Sequence, residues 1–335
     1  MTVISIDLSP DEEILDGLHL SVIIERWLDD CARRLPPASV TAYQVKIRHF
    51  LDWWATVGPS QGWQLREADL SAYNRWLTGL GLAYSTRKKA LGVLRSMFHW
   101  AARRRYTQPL NCAYWVPAAP EGSDRLHLPI GITHLAALMR TAGEMEFRAD
   151  ERHFLRMRNS ALLATLIGTG ARRSEVAALT VGDVTLRTDN SGDLHIRSAK
   201  KVRGRTVHQR LACFDRYTGC YLARWLALRR RDADAPLWPS VINGNSLTGQ
   251  GVYKVLRTIA AAARVEIGGA HDFRRTFTTY FADKRPGEGH YHLLQLQIGH
   301  KPQGITHQLY DLRTIDSIRA VFCSPMEEVA RLLRV

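Results

Sequence analysis

The chain has 335 residues, with 46 Lys+Arg against 32 Asp+Glu, a net charge of +14 and 45% hydrophobic residues. That length allows about two domains and a core that needs no disulfide or metal staple, and the hydrophobic share excludes a disordered chain. No apolar run approaches the ~18 residues of a membrane span, and the opening MTVISIDLSPDEE lacks the basic segment that begins a secretory signal.

The charge is unevenly spread. Residues 1–30 hold eight acids and one Arg, whereas residues 31–125 carry +9 and residues 126–335 carry +12. Only eight of the 46 basic residues are Lys. Arg suits bidentate phosphate recognition, so the excess points to a polyanion, nucleic acid first. A basic enzyme without such a partner is the alternative that charge alone leaves open. Residues 1–18 read as an acidic tail that is not itself a nucleic-acid contact.

Residues 19–118 read as a first domain of short amphipathic helices. One is predicted over about 39–55, with Tyr43, Ile47, Phe50, Leu51 and Trp54 on one face; another over about 85–104 aligns Leu91, Leu94, Phe98 and Ala101. Trp53, Trp76 and Trp100 read as packing aromatics rather than base-stacking ones. Ser85 is the expected cap of the second helix, which places Arg87, Lys88 and Lys89 in its first turn, where cations oppose the helix dipole. Phosphate contact explains these three better than stability does, with a solvated charge run as the plainer alternative. The run Arg103-Arg104-Arg105 ends the same helix, where cations suit the dipole.

The stretch VPAAPEGSDRLHLPIG, residues 116–131, is rich in Pro and Gly and marks a boundary, with the linker set at 119–131 and a second domain over 132–335. That domain alternates helices with one β section. VTLR (184–187), LHIRS (194–198) and RTVHQRLA (205–212) read as three small antiparallel strands, with DNSGD as the first turn and a basic loop as the second. Tyr221, Leu222, Trp225 and Leu228 mark a further helical stripe, and Val252 to Ala263 another. At the chain end Ser324-Pro325-Met326-Glu327 has a capping-box pattern, followed by an apolar stripe of Met326, Val329 and Leu333. Cys31, Cys112, Cys213, Cys220 and Cys323 form no CxxC pair, which fits buried thiols in a reducing cytoplasm and no zinc site.

No P-loop, GxGxxG, HExxH or GxSxG motif occurs. An enzyme that acts on phosphate without metal ligands must stabilise transition-state charge with its own cations. Candidates follow in order: Arg172, Arg173 and Glu175 in GTGARRSEVAAL (168–179), where Arg172 stands three residues before a carboxylate that could hold its fork; the basic turn SAKKVRGR (198–205); His271 and Arg274 in HDFRRTF (271–277), on one helical face; His300 in IGH; and Tyr310 in THQLYD. Each fragment alone is weak, and the ordered set carries the weight.

On these motifs the chain resembles the tyrosine recombinases, the integrase family of site-specific DNA recombinases, over roughly residues 20–335. Residue by residue, Arg172 matches the first catalytic Arg and Glu175 the supporting acid. Lys200 matches the β-hairpin Lys, with Lys201 as the other choice; Lys201 and Arg203 are expected on DNA with Arg87, Lys88 and Lys89. His271 and Arg274 match the His-x-x-Arg box, His300 the later His and Tyr310 the nucleophile. The stretch ADKRPGEGHYH looks about three residues longer than usual and the gap from His300 to Tyr310 one longer. His290 and His292 are read as loop residues of that longer stretch.

The resemblance implies a mainly α fold with a small three-stranded antiparallel sheet (α+β), built as a helical core-binding domain and a catalytic domain that form a C-shaped clamp on DNA. It implies cleavage and rejoining of double-stranded DNA through a 3′-phosphotyrosyl intermediate, with no metal, ATP or other cofactor. It further implies a homotetramer on two paired core sites, with the C-terminal helix docked on the neighbour, and a cytoplasmic, nucleoid-associated protein of a mobile element or a resolution system. The tail of about 18 residues looks too short for a separate arm-site domain, which favours a simple recombinase reading only the core site. A type IB topoisomerase that nicks and reseals one duplex, and a catalytically silent DNA-binding regulator on the same fold, are the competing readings.

Overall fold

Apolar residues recur at helical spacing through the first hundred residues, and the computed structural model turns them into α1 (Leu20–Arg34), α2 (Pro37–Val57), α3 (Glu67–Gly79) and α4 (Tyr84–Arg103). The residues described are 20–57, 67–106, 128–197, 209–229, 232–300 and 311–334, and they fall into two compact units, one on each side of residues 107–127.

In the first unit the inward helix faces bury Ile23, Trp27, Phe50, Trp53, Tyr73, Leu77 and Met97. Phe50 meets Tyr73 edge-on with ring centroids 5.4 Å apart, and Trp27 stacks on Tyr43 at 5.4 Å. Trp53 and Trp100 are buried and Trp76 packs against the same core, so all three serve packing. Leu91, Leu94, Phe98 and Ala101 form the buried stripe of α4, as the periodicity predicts. Trp100 donates its Nε1–H to Asp30 at 3.0 Å, so one acid of the negative head ties α1 to α4. The start of α4 differs from expectation. Its cap is Ala83, not Ser85, and no side chain caps it; the Ala83 carbonyl accepts from the backbone N–H groups of Thr86 and Arg87, so the turn closes without a hydroxyl.

The second unit contains α5 (Ile132–Glu144), α6 (Arg152–Thr169), α7 (Arg173–Ala177), a sheet of β1 (Val184–Leu186), β2 (Gly192–Arg197) and β3 (Gln209–Phe214), then α8 (Arg216–Ala227), α9 (Gly249–Ala263), α10 (Ala270–Lys284), α11 (Glu288–Ile298), α12 (Asp311–Val321) and α13 (Met326–Leu333). The chain is therefore mainly helical with one small sheet, the expected fold class. The sheet runs β1-β2-β3, antiparallel throughout, with Leu194 opposite Val184 on one side and Ala212 on the other. β2 starts two residues earlier than the pattern indicated, which shortens the first turn, and β3 runs on to Phe214. Residues 205–208 of the expected third strand lie outside the described residues.

Helix α6 is buried on every face from Arg158 to Thr169 and packs among α5, α8 and α10. Trp225 and Trp238 stack beside it and send their indole N–H groups to the carbonyls of Leu237 and Val176, each at 2.9 Å. Such pairing lets large polar-tipped rings be buried without an orphaned donor. His290 and His292 stand on α11 rather than in a loop, because the helix begins at Glu288, just after Gly287 at φ 115°.

The capping box expected at the chain end does not form, since the cap of α13 is Pro325 and no side chain caps it. The Ser324 hydroxyl accepts from the Met326 N–H at 3.1 Å and itself donates to Asp215 at 2.5 Å, so it links α13 to the cap of α8. Met326 and Val329 are fully buried in this unit's own core. Leu333, the third residue of that stripe, is partly buried, and Leu332 beside it is exposed. No helix of the described residues is long and apolar enough to cross a membrane.

Helix α6 ends at Gly170 in the left-handed conformation, φ 64°, where a Cβ would lie 2.6 Å from the Phe277 ring. Gly170→Ala combines left-handed strain with overpacking, so it should lower the unfolding free energy by about 2–4 kcal/mol. Urea unfolding measures this, and an unchanged midpoint would contradict the tight Gly170–Phe277 approach.

Candidate active site

Three helix ends converge in the second unit. The C-terminus of α6 passes through Gly170 and Ala171 to Arg172, which caps α7 in extended conformation. The C-terminus of α11 passes through Gly299, φ 69°, to His300. The first turn of α10 brings His271 and, one turn on, Arg274.

Arg274 is almost wholly buried. Its Nη1 donates to the Gly170 carbonyl at 2.9 Å and its Nη2 to the Ile298 carbonyl at 2.7 Å. The carbonyl ends of α6 and α11 carry partial negative charge, which suits a cation placed between them. Burial, reinforced by the charge of Arg172, lowers the Arg274 pKa to about 10, which leaves it protonated at neutral pH. Only two of the five guanidinium donors are used by these carbonyls.

Arg172 is more open, with 42% of its side chain exposed. Its Nη1 donates to Glu175 Oε1 at 2.8 Å and its Nη2 to the Gly299 carbonyl at 3.1 Å. Its backbone N–H also donates to Glu175 Oε2 at 2.8 Å. The three-residue spacing puts the carboxylate where it can hold both ends of Arg172 within one helical turn. Burial pushes the Glu175 pKa up; the hydrogen bonds and charge of Arg210, then the Arg172 contacts, outweigh it and hold the carboxyl below its ordinary range.

Arg210 is a residue that the sequence patterns did not single out. It stands on β3 with Nη1 and Nη2 at 3.1 and 3.0 Å from the two Glu175 oxygens and Nε at 3.1 Å from the Gln297 carbonyl. Gln297 was also missed. Fully buried, it accepts from Cys213 N–H at 2.9 Å and donates to the carbonyls of Cys213 at 2.9 Å and Thr169 at 3.3 Å. Its amide thus acts like one more strand residue along β3 and ties the α11 terminus to the α6 terminus. No sequence signal marked either, because the burial that obliges each to find partners exists only in the fold.

His271 and His300 are exposed at the rim of this cluster. The pKa of each is lowered. For His271 burial is the largest cause, followed by Arg275 and Arg274, with Asp272 opposing. For His300 burial is again first, then Arg274, Arg172, Arg210 and His271. Both imidazoles are therefore held neutral near pH 7, able to accept a proton from one partner and donate to another.

Of the other residues singled out from sequence, Arg173 packs over the Tyr253 ring, 5.6 Å from its centroid. Lys88 and Lys89 are exposed on α4, in the first unit. Arg87 beside them is engaged internally, donating to Asn74 at 3.2 Å and Thr78 at 2.7 Å, so it ties α4 to α3. Lys200, Lys201, Arg203 and Tyr310 lie outside the described residues. Among the described residues, no group of three or more His, Cys, Asp or Glu could hold a metal ion.

Two guanidinium groups held in place thus stand near two imidazoles kept neutral, a set of donors suited to an anion. Comparison with known proteins shows the family to which the chain belongs. Residues 24–105 match the phage integrase N-terminal SAM-like domain, and residues 141–314 match the phage integrase family. The chain is 27% identical over 303 residues to tyrosine recombinase XerC 2 of Ralstonia nicotianae, covering 84% of this chain and 79% of that protein. A XerH site-specific recombinase solved on a palindromic difH substrate shares its fold, with a TM-score of 0.64 at 19% identity, over 84% of this chain and 79% of the other. So does a lambda integrase solved as a tetramer on a Holliday junction, with a TM-score of 0.60 at 13% identity, over 88% and 80%. The chain belongs to the phage integrase family of tyrosine recombinases.

The lowered histidine pKa values set a pH dependence. Above about pH 6.5 neither the folded nor the unfolded chain protonates these imidazoles, and they cost nothing. As pH falls through that value the unfolded chain takes up protons first, so stability declines until the folded imidazoles are protonated as well. The DNA-free protein should therefore lose stability between about pH 7 and pH 5.5, and the doubly substituted His271→Gln/His300→Gln chain should lose less. Denaturant unfolding at the two pH values measures the difference. Equal losses in both proteins would contradict the cationic environment assigned to the pair.

Proposed function

We propose that this recombinase cleaves and rejoins double-stranded DNA through a 3′-phosphotyrosyl intermediate. The observation that carries the reading is the pair Arg172 and Arg274, fixed by three helix-terminal carbonyls beside two neutral histidines. In this reading Arg172 and Arg274 bind the non-bridging oxygens of the scissile phosphate, and His271 and His300 add hydrogen bonds as negative charge grows in the five-coordinate transition state. Preorganised donors of this kind are usually the largest catalytic contribution.

Tyr310 is the nucleophile. A free Tyr with pKa about 10 is ionised in roughly one molecule per thousand at pH 7, so it needs a proton acceptor, and neutral His271 serves. The 5′-hydroxyl is a poor leaving group, which Lys200 protonates. The covalent link keeps the energy of the broken phosphodiester, so a second 5′-hydroxyl can attack it without ATP, and the arginines remove the need for a metal. Glu175 supports Arg172 and does not exchange protons with the substrate.

The reading extends to assembly. We take residues 19–118 as a core-site DNA-binding domain, 119–131 as a linker and 132–335 as the catalytic domain, with four protomers on two paired sites. Lys88, Lys89, Lys201 and Arg203 hold backbone phosphates. The tetramer reading draws on the lambda integrase seen as a tetramer on a Holliday junction. A cytoplasmic, nucleoid-associated location follows from DNA as substrate, and integration, excision or resolution of a mobile element as the outcome.

The test uses nicked suicide duplexes, selected by covalent capture with the wild-type chain from a random-sequence library. Wild type should form an adduct that resists denaturation, and Tyr310→Phe should bind the same duplex and form none. An adduct persisting in Tyr310→Phe would overturn the nucleophile, and no adduct with wild type would favour the silent regulator. Adduct formation with rapid resealing and relaxation of plasmid lacking any paired site would favour the topoisomerase reading.

Substituting Lys88 and Lys89 with Gln should flatten the dependence of log K on log salt by up to about 2 units, near 0.9 per lost phosphate contact. A salt titration of duplex binding measures this, and an unchanged slope would return both lysines to the solvated surface.

A further inference from the structure

We infer that Arg210 is a positioning residue of the phosphate site: it neutralises Glu175 so that Arg172 keeps its charge for the scissile phosphate, and it sets the turn that delivers His300. The inference rests on the reading that Arg172 binds that phosphate.

Charge sets the roles of the two arginines apart. Glu175 is 6% exposed and accepts both the backbone N–H and Nη1 of Arg172. A buried carboxylate paired with Arg172 alone would cancel the charge that the phosphate needs, and would draw the guanidinium into a closed two-bond pair. Arg210 changes that balance. Its two Nη groups reach the two Glu175 oxygens, and only 17% of its side chain is exposed. With Arg210 as the buried partner of Glu175, Arg172 remains the open cation of the group. Three arginines against one carboxylate leave a net +2 at the site, which falls to +1 if Arg210 is lost.

The shape of the Arg210 side chain also matters. A Cβ on Gly299 would lie 2.9 Å from both Cζ and Nη1 of Arg210, so the guanidinium fills the place where a side chain would otherwise stand. The same guanidinium holds the Gln297 carbonyl through Nε. Arg210 therefore packs against the backbone from Gln297 to Gly299, immediately before His300. The Gly299 carbonyl in turn accepts from Arg172 Nη2. One side chain that reaches no phosphate itself thus bears on two groups proposed to do so.

The proposal predicts a particular sign of coupling between two substitutions. In Arg210→Met the buried Glu175 charge has only Arg172 to neutralise it, and adduct formation on the captured suicide duplex should slow on the order of 10²-fold. Removing that charge as well, in Glu175→Gln/Arg210→Met, should give faster adduct formation than Arg210→Met alone. A role confined to packing or stability predicts the opposite, a double variant slower than either single one. Wild-type speed in Arg210→Met, or a double variant slower than Arg210→Met, would overturn the inference while leaving the cleavage reading intact. No adduct with wild type would remove the cleavage reading and this one with it. Should Arg210→Met fail to fold, Arg210→Lys keeps a charge and loses the two-pronged contact. It should be slowed, and wild-type speed there would equally overturn the proposal.

Discussion

A carboxylate shared by two arginines, set among the carbonyl ends of two helices, is the constraint on which the second unit turns. Two cations as close as Arg172 and Arg274 repel one another, and burial penalises Arg274 further. They are held together because three carbonyls, Gly170, Ile298 and Gly299, accept from them and Glu175 takes up charge beside them. Helix dipoles and a buried acid thus offset a local electrostatic cost that has no structural benefit of its own. Strained or unfavourable arrangements of this kind concentrate where function requires them.

The rest of the unit can be understood as support for that arrangement. α6 is buried on all sides, which fixes where its terminus lies. Gln297 fastens the α11 terminus to both β3 and α6, and Arg210 extends from β3 to meet Glu175. A second buried acid plays a similar part on the central strand of the sheet. Asp193 on β2 receives Arg187 and, at 2.6 Å, Arg319 of α12. That ion pair ties the helix beginning one residue after Tyr310 to the same sheet that carries Arg210.

What the sequence made legible was local. The spacing of Arg172 and Glu175 sits within one helical turn, and His271 and Arg274 share one face of α10, so both could be read without knowing the fold. The amphipathic stripes of α2 and α4 and the three-stranded sheet were legible for the same reason. Arg210 and Gln297 were not, because their partners are far along the chain: Glu175 is 35 residues from Arg210, and Cys213 is 84 from Gln297. Short capping patterns misled in a different way. Ser85 has the right residue type but α4 closes on the Ala83 carbonyl, and Ser324 divides its hydroxyl between Met326 and Asp215. His290 and His292, read as loop residues, stand on a helix instead.

In the proposed reaction the arginine pair receives the scissile phosphate. The most direct measurement is a crystal structure of the chain with a captured nicked duplex. Non-bridging oxygens of that phosphate should lie about 2.7–2.9 Å from Arg172 and Arg274 guanidinium nitrogens, with Glu175 still held by Arg210. A scissile phosphate seated away from both arginines, with Arg172 closed on Glu175, would contradict it.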